Sequence, residues 1–162
     1  MGTGRSPAGG GTGGHLYPAL AIARERAARL GLRNVTFAEG NAYEPGLPER
    51  SFDLAFCRFL LCHLQRPAEA LARMASLLRP GGVLLVQEPI VDSIFADPPS
   101  RAYDRFVEVA RLVGNVLGVD YSLGRRLSGL VREAGLEQVA VTIDQPCYTT
   151  GERKRFWEYT CI

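Results

Sequence analysis

Leu78-Arg79-Pro80-Gly81-Gly82-Val83-Leu84-Leu85-Val86-Gln87-Glu88 is the stretch whose reading decides the fold. Leu78 closes a helical pattern, Pro80-Gly81-Gly82 predicts a tight turn, and the apolar run after it predicts a buried strand with polar Glu88 at its carboxyl end. Upstream, Ser51-Phe52-Asp53-Leu54-Ala55-Phe56-Cys57 predicts a second apolar strand. Between the two, Pro67 opens a segment with Leu71, Met74 and Leu78 at helical spacing. Strand, helix and strand in this order predict a βαβ unit, and open parallel sheets bind ligands beyond the carboxyl ends of their strands.

Working outward, Leu20, Ala23, Ala27 and Leu30 share one helical face, with Gly31 as its stop. Asn34–Ala38 reads as a short strand running into Glu39-Gly40-Asn41-Ala42. Downstream, Asp97-Pro98-Pro99 punctuates the chain before a long helix with Phe106, Val109, Leu112 or Val113, and Val116 on one face. Ser122 is placed to cap a further helix carrying Leu127, Leu130, Val131 and Ala134, stopped by Gly135. Alternating Val139, Val141 and Ile143 predict another strand, and the tail from Thr149 to Ile162 reads as helical. The domain division is a glycine-rich, irregular head over 1–17 and one ordered body over 18–162. Glycine packs nothing and loses much backbone entropy, so the head supplies no buried strand.

A chain of 162 residues fits a single domain, and 46% apolar with 22% charged residues fits a soluble globular one. A formal charge of +2 gives no footprint for nucleic acid or an anionic membrane. No apolar run approaches the roughly 20 residues that a spanning helix needs. The glycine-rich start lacks the charged-then-apolar pattern of a secretory signal, so a cytoplasmic location is expected. Cys57, Cys62, Cys147 and Cys161 show no metal-ligand spacing and read as small hydrophobes, with redox chemistry as the alternative. No metal site is expected.

Four segments in order resemble a class I S-adenosylmethionine-dependent methyltransferase. Pro18–Ala27 is similar to the helix that follows that family's ribose-binding acidic residue. Glu39-Gly40-Asn41-Ala42 is similar to its Gly-Asp-Ala loop, whose polar side chain meets the adenine amino group. Phe52–Arg58 resembles the fourth strand, and Arg79-Pro80-Gly81-Gly82 the turn before the fifth. The resemblance implies an α/β, Rossmann-like fold with a mostly parallel sheet and flanking helices, its amino-terminal strands missing. It implies S-adenosyl-L-methionine as cofactor and Gly40, Asn41, Ala42, Arg58 and His63 at its rim. Glu88 would face the acceptor pocket or hydrogen-bond a neighbouring loop; His63 is either a cofactor neighbour or structural; Asn41 either meets adenine or is a turn asparagine.

The front of the chain departs from the family. Gly9-Gly10-Gly11-Thr12-Gly13-Gly14 can mimic the glycine turn that wraps the cofactor's methionine part, making Gly9, Gly11 and Gly13 candidates, with a flexible tail as the alternative. No apolar strand or acidic residue precedes the turn, and no second strand with a ribose carboxylate follows it. Strands corresponding to the family's third, fourth, fifth and sixth are expected, with Asn34–Ala38 pairing directly and parallel with Phe52–Cys57 to close the gap. Cofactor binding by this chain is expected to be weak.

The same head has a second resemblance. Gly9–Ala21 is similar to the amino-terminal loop of the bacterial glycosyltransferase that completes the lipid-linked peptidoglycan precursor, where a helix start approaches a diphosphate. Three readings follow: impaired methyl transfer to a small-molecule acceptor, a non-catalytic methyltransferase remnant or partner-dependent domain, and, on that head alone, a glycosyltransferase. Methyl transfer from sulfonium sulfur needs positioning and desolvation more than acid-base help, which fits the scarcity of obvious catalytic side chains. No nucleic-acid or membrane partner is expected.

Overall fold

The computed structural model describes residues 13–38 and 40–150, with side chains from residue 21 onward. The elements in chain order are α1 (Gly13–Arg29), β1 (Phe52–Arg58), α2 (Pro67–Ser76), β2 (Leu78–Gln87), α3 (Arg101–Leu117) and α4 (Leu127–Glu133). Short 3-10 turns stand at Leu61–His63, Val91–Ser93 and Leu123–Arg126. Strands β1 and β2 run parallel as neighbours, joined through α2, so the expected βαβ unit is present. The fold is α/β, a parallel sheet with flanking helices.

Local chemistry explains these elements. Pro67 at the first turn of α2 gives up only an N–H that would have no acceptor within the helix, and its fixed φ suits the helix. The partners Leu54↔Val83, Ala55↔Leu84, Phe56↔Leu85 and Cys57↔Val86 set the register. Arg79-Pro80-Gly81-Gly82 bulges out of this ladder opposite Asp53, with Gly81 at φ 82° and Arg79 Nη1 2.8 Å from Asp53 Oδ1. Gly82 is needed for space, since a Cβ there would stand 3.0 Å from the Arg79 carbonyl oxygen.

One face of the sheet carries the core. Cys57, Leu61, Cys62, Ala70, Leu71, Leu123 and Leu130 form a buried cluster, with Leu84, Val86, Met74, Leu127 and Val131 packed against it. Strand alternation sends Leu54, Phe56, Val83 and Leu85 to the other face, where each is 54–58% exposed. Helix α3 stops at Gly118 (φ 69°) and is buried at Gly114, whereas Val109, Leu112, Val113 and Val116 are exposed. The apolar stripe legible in α3 is therefore not its packed face among the described residues. No helix of the described residues is long and apolar enough to cross a membrane.

Three expectations are corrected. Asn34–Ala38 is not a strand, Val35 is 43% exposed, and β1 pairs only with β2 among the described residues. Val139–Ile143 is also irregular, with Val141 and Ile143 at 62% and 78% exposure. A strand requires a neighbouring edge and a face to bury, and alternation alone provides neither. The described sheet accordingly holds two strands where four were expected. Finally, the Ser122 side chain caps nothing in its own chain segment; its Oγ accepts the Asp92 N–H at 3.0 Å, tying the turn after β2 to the approach of α4. Gly31 (φ 64°) and Gly135 (φ 82°) do end their helices as read. The tail over 151–162, with Cys161, and the head glycines Gly9 and Gly11 lie outside the described residues.

Candidate functional site

At the carboxyl end of β1 the chain turns sharply. Phe59 adopts φ 50°, unusual for a residue with a side chain, and its N–H donates to the Gln87 carbonyl at 2.9 Å. The next three amides then converge on one carboxylate. Leu60 and Leu61 donate to Glu88 Oε1 at 3.1 and 2.9 Å, and Cys62 donates to Oε2 at 3.1 Å. These donors open the Leu61–His63 turn, where backbone N–H groups lack helical partners. Leu61 and Cys62 are buried, so water does not serve them. Of the two readings for Glu88, the geometry matches the hydrogen bond to a neighbouring loop.

The Gly40–Tyr43 turn reaches the same end of the sheet. Tyr43 Oη accepts the Arg66 N–H at 3.3 Å, and the Arg66 guanidinium lies 4.4 Å from the Tyr43 ring centroid. Arg66 immediately precedes α2, whose start adjoins the end of β1 in a parallel crossover. Asn41 Oδ1 accepts the Tyr43 N–H at 3.0 Å, and the Asn41 carbonyl accepts from Glu44 at 3.0 Å. This is the local geometry of a turn asparagine, and Tyr43 rather than the Gly40 or Ala42 backbone fixes its amide orientation. Ala42 and Tyr43 pack on the core cluster. A Cβ at Gly40 would meet only the Pro45 oxygen at 3.8 Å, so the turn itself does not demand glycine there.

Arg58 ends β1, exposed, with its guanidinium 4.9 Å from the Phe59 ring centroid. His63 is exposed and meets Tyr121 edge to face, ring centroids 5.4 Å apart. Gly13 is the first residue of α1. Asn41, Arg58, His63 and Glu88 are thus gathered near the carboxyl ends of the strands.

Two residues that the sequence reading passed over shape this end. Gly124 brings the Leu123–Arg126 turn onto the exit of β2, its N–H 3.0 Å from the Pro89 carbonyl. Asp92 receives Arg111 at 3.2 Å and Arg125 at 3.1 Å, joining α3 to that same turn. Neither has a spacing signal, because both contacts cross long stretches of chain. A cleft of about 260 Å³, lined by Gln65, Asn115, Gly118, Asp120 and Arg126, lies beside this region.

The two thiols beneath the loop are chemically quiet. Burial first, and then the Glu88 charge, pushes the Cys57 thiol from an ordinary 9.0 up to about 12. The same causes raise the Cys62 thiol. A thiol whose folded value is raised adds stability that is complete below its unfolded value and lost as pH rises through the folded one. Stability should therefore decline above about pH 9 and continue falling toward about 12. At neutral pH, iodoacetamide should modify exposed Cys147 well before Cys57 or Cys62, as read by peptide mass mapping. Equal labelling of all three would contradict this.

The methyltransferase-domain family matches residues 13–86, which contain α1, the Asn41 turn, β1, α2 and nearly all of β2. A ubiquinone/menaquinone biosynthesis C-methyltransferase, UbiE, of Proteus mirabilis is 31% identical over 141 residues, covering 76% of this chain and 54% of that protein. An uncharacterized 37.1 kDa protein in transposon TN4556 of Streptomyces fradiae is 40% identical over 100 residues, covering 59% of this chain and 27% of its own length. An uncharacterized methyltransferase of Schizosaccharomyces pombe is 24% identical over 127 residues, covering 77% of this chain and 45% of that protein. The chain spans about half the length of the two methyltransferases, 54% and 45%. The chain is thus similar to the methyltransferase-domain family over residues 13–86, the stretch that holds the parallel βαβ unit and the polar residues gathered at its strand ends.

Proposed function

We propose that this chain serves S-adenosylmethionine-dependent methyl transfer to a small-molecule acceptor, with the adenosine end of the cofactor against the Gly40–Tyr43 turn. The observation that carries this reading is the convergence of separate stretches of chain. Tyr43 anchors the turn to Arg66, and Glu88 anchors the residues after β1 to the end of β2. The residues present fit the cofactor. A carbonyl oxygen has two lone pairs, so Asn41 Oδ1, which takes one bond from Tyr43, can accept another from the adenine amino group. Exposed Arg58 and His63 suit a carboxylate. Gly9, Gly11 and Gly13 are the candidates for the methionine part.

When bound, the cofactor supplies a methyl group activated on sulfonium sulfur. The chain's own residues bind and orient it and exclude water. Glu88, with both oxygens engaged by the backbone, acts in this reading through the loop and not as a base. A small-molecule acceptor is supported by the Proteus relative, which is named for C-methylation in quinone biosynthesis. A cytoplasmic location belongs to the same reading, in keeping with the free buried thiols Cys57 and Cys62. The glycosyltransferase alternative rests on a head whose second part, from Gly13, the methyltransferase family also matches.

The test is a set of Asn41 variants titrated with S-adenosylmethionine at concentrations reaching millimolar, as weak binding requires. Asn41→Asp should keep or improve affinity, because a carboxylate also accepts from both Tyr43 and adenine. Asn41→Leu should weaken it by roughly 1–2 kcal/mol. Equal affinity of all three proteins at unchanged thermal stability would leave Asn41 as a turn residue only.

A further inference from the structure

Glu88 invites an inference that rests on the cofactor site proposed above and deepens it. Its position is set rigidly: it directly follows β2, and Gly124 packs so near that a Cβ there would stand 2.9 Å from the Glu88 carbonyl oxygen. Its carboxylate reaches across to β1's exit and takes three consecutive N–H groups, from Leu60, Leu61 and Cys62. This arrangement does two things at once. It satisfies the unpaired donors at the start of the Leu61–His63 turn, and it fixes the residue that follows them. His63 is thereby held with its ring 5.4 Å from Tyr121, a residue whose carbonyl accepts the Val91 N–H at 3.2 Å from just beyond β2. On the other side of the clamp, the left-handed Phe59 carries Arg58 over its ring.

We propose that Glu88 is a positioning residue: its carboxylate clamps the Leu60–Cys62 amides and thereby sets where Arg58 and His63 stand at the cofactor rim. It touches neither cofactor nor acceptor. A neutral side chain of the same size has one good acceptor oxygen and presents its NH2 group to a donor, so it cannot hold all three amides.

The experiment compares the whole chain with Glu88→Gln and Glu88→Leu by nuclear magnetic resonance. A control, Leu130→Ala, loses packing in the same core cluster while leaving the Glu88 carboxylate in place. In Glu88→Gln the Leu60, Leu61 and Cys62 amides should exchange with solvent roughly tenfold faster, as expected for loss of a charge-assisted hydrogen bond. The His63 ring signals should move as Tyr121's ring current no longer acts on a fixed imidazole. Affinity for S-adenosylhomocysteine should fall about tenfold in Glu88→Gln, further in Glu88→Leu if it folds, and little in Leu130→Ala. Unchanged exchange and His63 signals in Glu88→Gln would overturn the proposal. Loosened amides with unaltered affinity would also overturn it, reducing Glu88 to a structural anchor. If the unaltered chain shows no S-adenosylhomocysteine binding, the cofactor reading fails, and the exchange and His63 signals still decide whether the clamp positions the loop.

Discussion

Leu71→Ala should be among the most damaging single changes in this chain, costing about 2–5 kcal/mol of folding free energy. Leu71 is fully buried on α2, in the cluster that holds that helix against Cys57, Leu61 and Leu130. Removing its isobutyl group loses transfer free energy and leaves a cavity that the parallel pair and α4 cannot both close. For a chain of this length each kcal/mol shifts the melting temperature by roughly 2–4 °C, so a fall of about 5–20 °C is expected by calorimetry. A fall below about 2 °C would mean that α2 does not carry the core as described.

Gly124→Ala should come next, through overpacking. The new Cβ would lie 2.7 Å from Ile90 Cγ1, 2.9 Å from the Glu88 oxygen and 3.0 Å from the Pro89 oxygen. The two oxygens are backbone atoms and cannot rotate away, so the Leu123–Arg126 turn must retreat from the strand exit. Overpacking of this kind costs about 1–3 kcal/mol. Denaturant unfolding should show a lower midpoint with unchanged slope, and faster amide exchange at Gly124. Since Gly124 has no positive φ among those observed, the effect is one of space and not of backbone conformation. Wild-type stability in this variant would show the turn packed less closely than described.

The βαβ unit was legible because its signals are local. The Phe52–Cys57 run, Pro67 at a helix start, Leu71 and Met74 at helical spacing, and the apolar Val83–Val86 run each act within a few residues, whereas Leu78 and Pro80-Gly81-Gly82, read as a helix end and a turn, lie inside β2 around its bulge. The failures share a cause. Asn34–Ala38 and Val139–Ile143 have strand-like residues, but whether an edge receives them is decided elsewhere in the chain. The stripe on α3 likewise suggested a packed face, while the contact runs through Gly114, where a Cβ would lie 2.9 Å from the Val119 oxygen. At the site, the gathering of Asn41, Arg58 and His63 follows from their placement after or beside strand ends. Glu88 was legible as a strand-end carboxylate, but not its three amide partners, which lie 26 to 28 residues earlier. Ser122 shows the same limit: a capping residue by type, it spends its oxygen on Asp92, 30 residues away.

In the proposed reading the Asn41 turn and the carboxyl end of β1 form one cofactor surface. The most direct measurement is a residue-by-residue amide titration of the whole chain with S-adenosylmethionine up to millimolar concentration. Saturable shifts are expected at Gly40, Asn41, Ala42 and Tyr43 and at Arg58 through His63, fitting a single dissociation constant. Shifts confined to α3 and the Gln65–Arg126 cleft, or none at all at millimolar ligand, would contradict it.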